Sequence, residues 1–173
     1  MKGNFGFIHE KIEVKILILF ILRRLSKPVK LDVLTELTLC DDGISYFDFT
    51  ECVNELVRTE HLKIEDGMYS LTGKGIRNGE ITENSLPYSV RTKAEKTTST
   101  TRAEQNRSAM IKTHSTVNPD GGCTVAMSLS DGLGDIVTLE LFAANESQAL
   151  ALEKGFRKNA ENIYNTLIEM ILN

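Results

Sequence analysis

The chain has 173 residues, 41% hydrophobic and 25% charged, the balance of an ordinary globular protein and enough for one domain or two small ones. A net charge of -4 argues against a generally basic nucleic-acid binder while leaving room for a local basic patch. Trp is absent and aromatics are sparse, so the core has to come from Ile, Leu and Val.

Cys40, Cys52 and Cys123 are odd in number and form no C-x-x-C pair, the pattern of reduced, mostly buried thiols. His9, His61 and His114 have no ligand spacing to one another or to the cysteines, so no metal site is expected. The run Ile16 to Leu22, ILILFIL, is far shorter than the roughly 20 residues a bilayer span needs. Glu10 and Glu13 precede it and no small-residue cleavage site follows, unlike a signal peptide. It reads as a helix buried on most sides, in a cytoplasmic protein with no membrane association.

In chain order, a first helix is predicted from Glu10 to Leu25, stopped by Pro28. A second runs from Val29 to Leu39, with Leu31, Leu34 and Leu37 at three-residue spacing, and Asp41-Asp42-Gly43 breaks the chain after it. A third starts at Asp48, whose carboxylate is expected to cap the first turn with Glu51 at the box position. Its apolar stripe is Phe49, Cys52, Val53, Leu56 and Val57. LKIE, Asp66-Gly67 and MYSL predict a tight hairpin, because both central positions of a type I′ turn need positive φ. Thr72 caps a helix over 73–79 whose three glycines leave it dependent on packing. Pro87 opens a helix over 87–96. TTSTT at 97–101 is polar and largely β-branched, and the tract to Ser108 reads as linker.

A second unit follows. Ile111 to Val117 is a strand; Cys123, Val125, Met127 and Leu129 alternate with small and polar residues in another; Ile136 to Phe142 is a third. Asn145 caps a long closing helix, with Gln148 at the box position and an apolar face of Ala149, Leu152, Phe156, Ile163, Leu167 and Met170.

Three helices and a hairpin, in that order with short loops, are the outline of a winged helix-turn-helix. The fold class is therefore α+β: an N-terminal winged helix-turn-helix domain over 1–85, a helix and polar linker over 86–108, and a three-stranded antiparallel meander with a long C-terminal helix over 109–173. A major groove about 12 Å wide admits one helix. On the third helix, Tyr46, Thr50, Asn54 and Arg58 are the candidates for base or phosphate contact, since Asn and Arg bond base edges in pairs. Ser45, just before it, is placed to donate to a phosphate. Lys63 is the hairpin's one cation, and Lys30 stands at the start of the second helix, where phosphate contacts often fall. Between Leu86 and Ser115, Arg91, Lys93, Lys96, Arg102, Arg107 and Lys112 outnumber Glu95 and Glu104, a segment able to extend a phosphate-binding surface.

No catalytic constellation is visible. GMYSLTGKG has the wrong spacing for a phosphate loop and no Ser or Thr after Lys74, and no nucleophile elbow occurs. No enzyme activity and no cofactor are expected. The closing helix has more apolar face than a small sheet covers, which places Phe156, Ile163, Leu167 and Met170 at a homodimer interface. A symmetric reader needs its two recognition helices about 34 Å apart.

KILILFIL, NELV, YSLTGKG, SLPYSVR, the DGG turn and AENIYNTLIEMIL together resemble an uncharacterised bacterial family of about this length, a domain of unknown function. The first half is similar, more loosely, to winged-helix regulators related to multidrug-resistance and phenolic-acid repressors. The resemblance implies a DNA-binding transcriptional regulator acting as a homodimer on double-stranded DNA. Regulators of that type usually carry positive or neutral polar residues on the exposed third helix. Here four of the five charges from Asp48 to Glu60 are negative. The alternative expectation is a winged-helix protein-interaction module that does not bind DNA.

Overall fold

The computed structural model describes residues 8, 10–40 and 43–173, so His9 and the Asp41-Asp42 break lie outside the described residues. The chain divides into two compact units, Met1–Gln105 and Asn106–Asn173.

The first unit is built around α1 (Lys11–Arg24). Every residue of ILILFIL is buried, because α2 (Leu31–Thr38), α3 (Tyr46–Arg58) and α4 (Gly73–Thr82) all pack against this one helix. Phe20, Phe49, Leu17, Ile18, Ile21, Leu34 and Val53 are its fully buried centre. Each such side chain is worth about 1.5–3 kcal/mol of burial.

Val29–Lys30 is not the start of a helix but a short strand, β1. It pairs antiparallel with β3 (Met68–Leu71), which pairs with β2 (Leu62–Glu65), giving the sheet order β1-β3-β2. Two residues are too few to leave a periodic signal; what holds them is β-branched Val29, buried beside Tyr69. The hairpin turns on Asp66 at φ 51° and Gly67 at φ 74°, the two positive values that Asp-Gly signals.

The start of α3 also needs correction. Ser45, not Asp48, is the N-cap: the Asp48 N–H donates to Ser45 Oγ at 3.1 Å, and the Ser45 hydroxyl donates to the Asp48 carboxylate at 2.6 Å. Asp48 fills the third-position role expected of Glu51. Ser and Asp are both good caps, and Ser45 wins because it brings the Asp48 carboxylate into the first turn, where the helix dipole favours it.

Two of the three glycines of α4, Gly75 and Gly79, allow its close packing. A Cβ on Gly75 would overlap the His61 carbonyl oxygen, and one on Gly79 would press into Arg23 and Leu19 of α1.

The linker reading of 97–108 is overturned, because α5 runs unbroken over Tyr88–Met110. The hydroxyls of Thr92 and Thr97 donate to the carbonyls of Tyr88 and Lys93 at 3.0 and 2.9 Å, and Thr98 does the same to Ala94. A β-branched polar residue is tolerated in a helix when its hydroxyl bonds back in this way. Val90, Ala94 and Thr98 form the buried stripe. Near the end, the Gln105 amide accepts from the backbone N–H groups of Ser26 and Lys27 and donates to the Lys27 carbonyl, all at 3.0–3.2 Å.

The second unit is a meander of β4 (Ile111–Val117), β5 (Cys123–Ser130) and β6 (Asp135–Ala143), with α6 (Glu146–Leu172) over one face. Ile111, Cys123, Val125, Met127, Leu129 and Ala143 meet Ala149, Phe156 and Ala160 in its core. Asn145 caps α6 as expected, with the Gln148 N–H donating to Asn145 Oδ1 at 2.9 Å, while Gln148 Oε1 accepts from the N–H of Ala144, one residue before the cap, at 2.8 Å. Asn159 leaves helical geometry (φ -124°, ψ 15°) and kinks α6. Phe156, expected on a dimer surface, is 2% exposed and belongs to this unit's own core. Ile163 and Leu167 are half-buried, and Met170 is exposed.

Among the described residues, no helix is long and apolar enough to cross a membrane. Cys40, Cys52 and Cys123 form no disulfide among the described residues. Burial raises the Cys52 thiol above its ordinary range, and its Sγ donates to the Lys11 carbonyl at 3.4 Å.

Candidate nucleic-acid interface

The acids of α3 are met by two lysines of α1. Lys11 and Lys15 are four residues apart, as are Glu51 and Glu55, so each pair projects from one side of its helix. Lys11 Nζ lies 2.6 Å from Glu51 and 3.7 Å from Asp48. Lys15 pairs with Glu55. The Lys15 hydrogen bond, with its charge, holds the Glu55 carboxyl below its ordinary range. The hydrogen bond to Glu51 raises the Lys11 ammonium.

The face of α3 beside these acids, centred roughly 100° round the helix from them, carries no carboxylate. It presents Tyr46, Phe47, Asn54 and Arg58, all exposed, with Thr50 half-buried among them. Phe47 is 74% exposed, and the Arg58 side chain is 77% exposed. Thr50 gives its hydroxyl hydrogen to the Tyr46 carbonyl at 2.8 Å and so faces outward as an acceptor. The Arg58 guanidinium lies 3.9 Å from the Glu55 carboxylate.

Three further candidates have distinct surroundings. Ser45 is occupied as the cap. Lys30, last residue of β1 and N-cap of α2, is exposed and makes no ion pair among the described residues. Lys63 is engaged within the hairpin by both Glu65 oxygens at 2.9 Å. On the basic segment, Arg91 donates to Asn84 at 3.1 Å and Arg107 pairs with Glu161 at 2.7 Å. Lys93, Lys96, Arg102 and Lys112 make no ion pair among the described residues and are exposed.

Residues 14–171 match the model of a family described as a domain of unknown function (DUF4364). The chain belongs to this family. The match takes in both compact units, so the DUF4364 assignment covers the α3 surface and the closing helix alike. No curated protein and no solved structure matches the chain.

The far end of α3 in this DUF4364 chain is locked by residues that sequence reading passed over. Glu60 adopts φ 60°, and the N–H groups of Glu60 and His61 return to the carbonyls of Val57 and Leu56 at 3.0 and 2.8 Å. Lys74 Nζ donates to the Thr59 carbonyl at 2.8 Å, where the helix dipole favours a cation. His61 stands between Thr59 Oγ1 (2.8 Å from Nδ1) and Asn78 Nδ2 (2.7 Å from Nε2). Thr59 gives its own hydrogen to the Glu55 carbonyl at 2.7 Å, so it accepts from Nδ1–H and leaves Nε2 to accept from Asn78. Burial, then the nearby Lys74 charge, lowers the His61 pKa.

Besides His61, reading the sequence missed Phe47, Lys11 and Lys15. The matched four-residue spacing of the lysines and glutamates was a usable signal for the last two. Which faces meet, however, is fixed only by how α1 and α3 pack. Among the described residues, no group of three or more His, Cys, Asp or Glu is placed to hold a metal ion.

Proposed function

We propose that the chain is a DNA-binding transcriptional regulator of the winged helix-turn-helix type, acting as a homodimer with α3 in the major groove. What supports this reading is the segregation of charge on α3. Lys11 and Lys15 take up the carboxylates of Asp48, Glu51 and Glu55 on one side. The neighbouring face offers a phenol, a hydroxyl, an amide and a guanidinium, the groups that bond base edges and phosphates. In this docking, the first half of α3 reads bases through Tyr46 and Thr50. Asn54 and Arg58 lie further along, at base edges or backbone, and Lys30 meets a phosphate. The exposed apolar end of α6, with Ile168, Met170, Ile171 and Leu172, favours the homodimer.

Adjacent exposed aromatics at Tyr46 and Phe47 favour a second reading, in which the same face of α3 docks on a partner protein. Fluorescence anisotropy against pooled genomic fragments at about 50 and 200 mM salt separates the two. The regulator binds at the lower salt, and its log affinity falls with log salt by about 0.9 per neutralised phosphate. Absence of binding at the lower salt, with a protein recovered by pull-down that Phe47→Ala releases, overturns it in favour of the second reading.

A further inference from the structure

The sheet of the second unit has two outer strands, and they differ in how their free edges are guarded. An unpaired edge invites another strand unless charge, proline or a covering element blocks it. On β4, Lys112 and His114 are exposed. The Thr113 hydroxyl is held from α6 by Glu153 at 2.9 Å and by Arg157 at 2.5 Å. On β6 the nine residues DIVTLELFA include no lysine and no proline, and only Asp135 and Glu140 are charged. Leu141 is 44% exposed although it lies on the face that α6 covers, and Phe142 is more exposed still.

We propose that the free edge of β6 pairs with β6 of a second copy, antiparallel about a two-fold axis at Leu139, joining two three-stranded sheets into one of six. The register follows from the side chains. Opposed residues in an antiparallel pair point to the same face, so the axis must pass through a residue position rather than between two. An axis at Glu140 sets two carboxylates against each other. An axis at Leu141 sets Glu140 against Phe142. An axis at Thr138 sets Glu140 against Ile136, the extra residue of a bulge between the pairs Leu129–Val137 and Ser130–Asp135. An axis at Leu139 sets Glu140 against the Thr138 hydroxyl, Val137 against Leu141, and Leu139 against itself. It gives the acid a polar partner and the half-exposed Leu141 an apolar one, using only the regular stretch from Val137 onward. The inference rests on the homodimer part of the proposed function and is independent of DNA binding.

Analytical ultracentrifugation of the full chain over a concentration series tests it. Thr138 and Glu140 are exposed on the face away from α6, so changes there spare the core. Thr138→Glu places two like-charge pairs across the axis and weakens the dimer roughly tenfold. Adding Glu140→Lys turns both into opposite-charge pairs and restores it. In the wild-type chain, hydrogen exchange of the outward amides over 137–143 slows as concentration rises. A monomeric wild type, a dimer unmoved by Thr138→Glu, a double variant that does not recover, or exchange independent of concentration each overturns the proposal. A dimer unmoved by Thr138→Glu but dissociated by Met170→Lys overturns β6 pairing and leaves the homodimer standing on α6.

Discussion

Lys15 and Glu55 stand one helical turn beyond Lys11 and Glu51, and the two ion pairs form a ladder between α1 and α3. On the DNA-binding reading, the ladder removes Glu55 from the account of the exposed face. Lys15→Met leaves that carboxylate unpaired and should weaken DNA binding roughly fivefold at low salt. Adding Glu55→Gln should restore it. Anisotropy titrations of the two variants check this; a Lys15→Met protein that binds like wild type places Glu55 out of reach of the phosphates. The depressed Glu55 pKa adds a pH effect. Its contribution to stability is complete above the ordinary carboxylate value of 4.5 and is lost as pH falls through the lower folded value.

Arg58 and Lys30 are the cations expected to touch DNA from α3 and the start of α2. Arg58→Ala and Lys30→Ala should each weaken binding and flatten the salt slope by about 0.9, one phosphate apiece. Titrations at several salt concentrations measure both quantities. Unchanged slopes in the two variants would sink the docking.

Glu60 holds φ 60° in the left-handed region at the end of α3. A residue with a Cβ costs about 1–2 kcal/mol there, and glycine is the usual occupant. Glu60→Gly should therefore stabilise the first unit by about 1 kcal/mol, offset in part by the looser unfolded chain. Thermal melts read this as a rise of about 2–4 °C. A lower melting temperature would mean that the Glu60 side chain has a partner worth more than the strain.

His61 accepts from Asn78 through a nitrogen that protonation would convert to a donor. Its folded pKa lies below the ordinary value of 6.5, because burial and Lys74 disfavour the cation. The unfolded chain therefore binds the proton more readily, and the stability that His61 confers is complete above 6.5 and declines as pH falls through the folded value. Melting temperature should drop more steeply with acid in wild type than in His61→Gln. Parallel curves for the two proteins would contradict the assignment.

Much of this fold is legible in the sequence because local signals and packing agree. Asp66-Gly67 specifies its turn by backbone sterics, the Asn145 cap marks the start of α6, and the alternation over 123–130 marks a half-buried strand. The failures have particular causes. At Ser45 and Asp48 two good capping residues compete, and only the geometry of the first turn separates them. At Val29 and Lys30 the strand is too short for any period. At Phe156 the apolar stripe of α6 gives no hint of where the core ends and free surface begins. The candidate interface was readable as a set of polar residues on α3. The pairing of its neighbouring acids with Lys11 and Lys15 was not, because that depends on how α3 lies against α1.

The hydroxyl-to-carbonyl bonds of α5 bear on how the protein can be cut. The tract from Thr92 to Ser108 has the composition proteases favour, with Lys93, Lys96, Arg102 and Arg107 offering four tryptic sites. A protease needs extended backbone in its cleft, and a helix pinned at Gln105 withholds it. Limited trypsin digestion should leave this tract intact while nicking exposed loops elsewhere. Expression of the two units apart should fail when the boundary is drawn through the threonines.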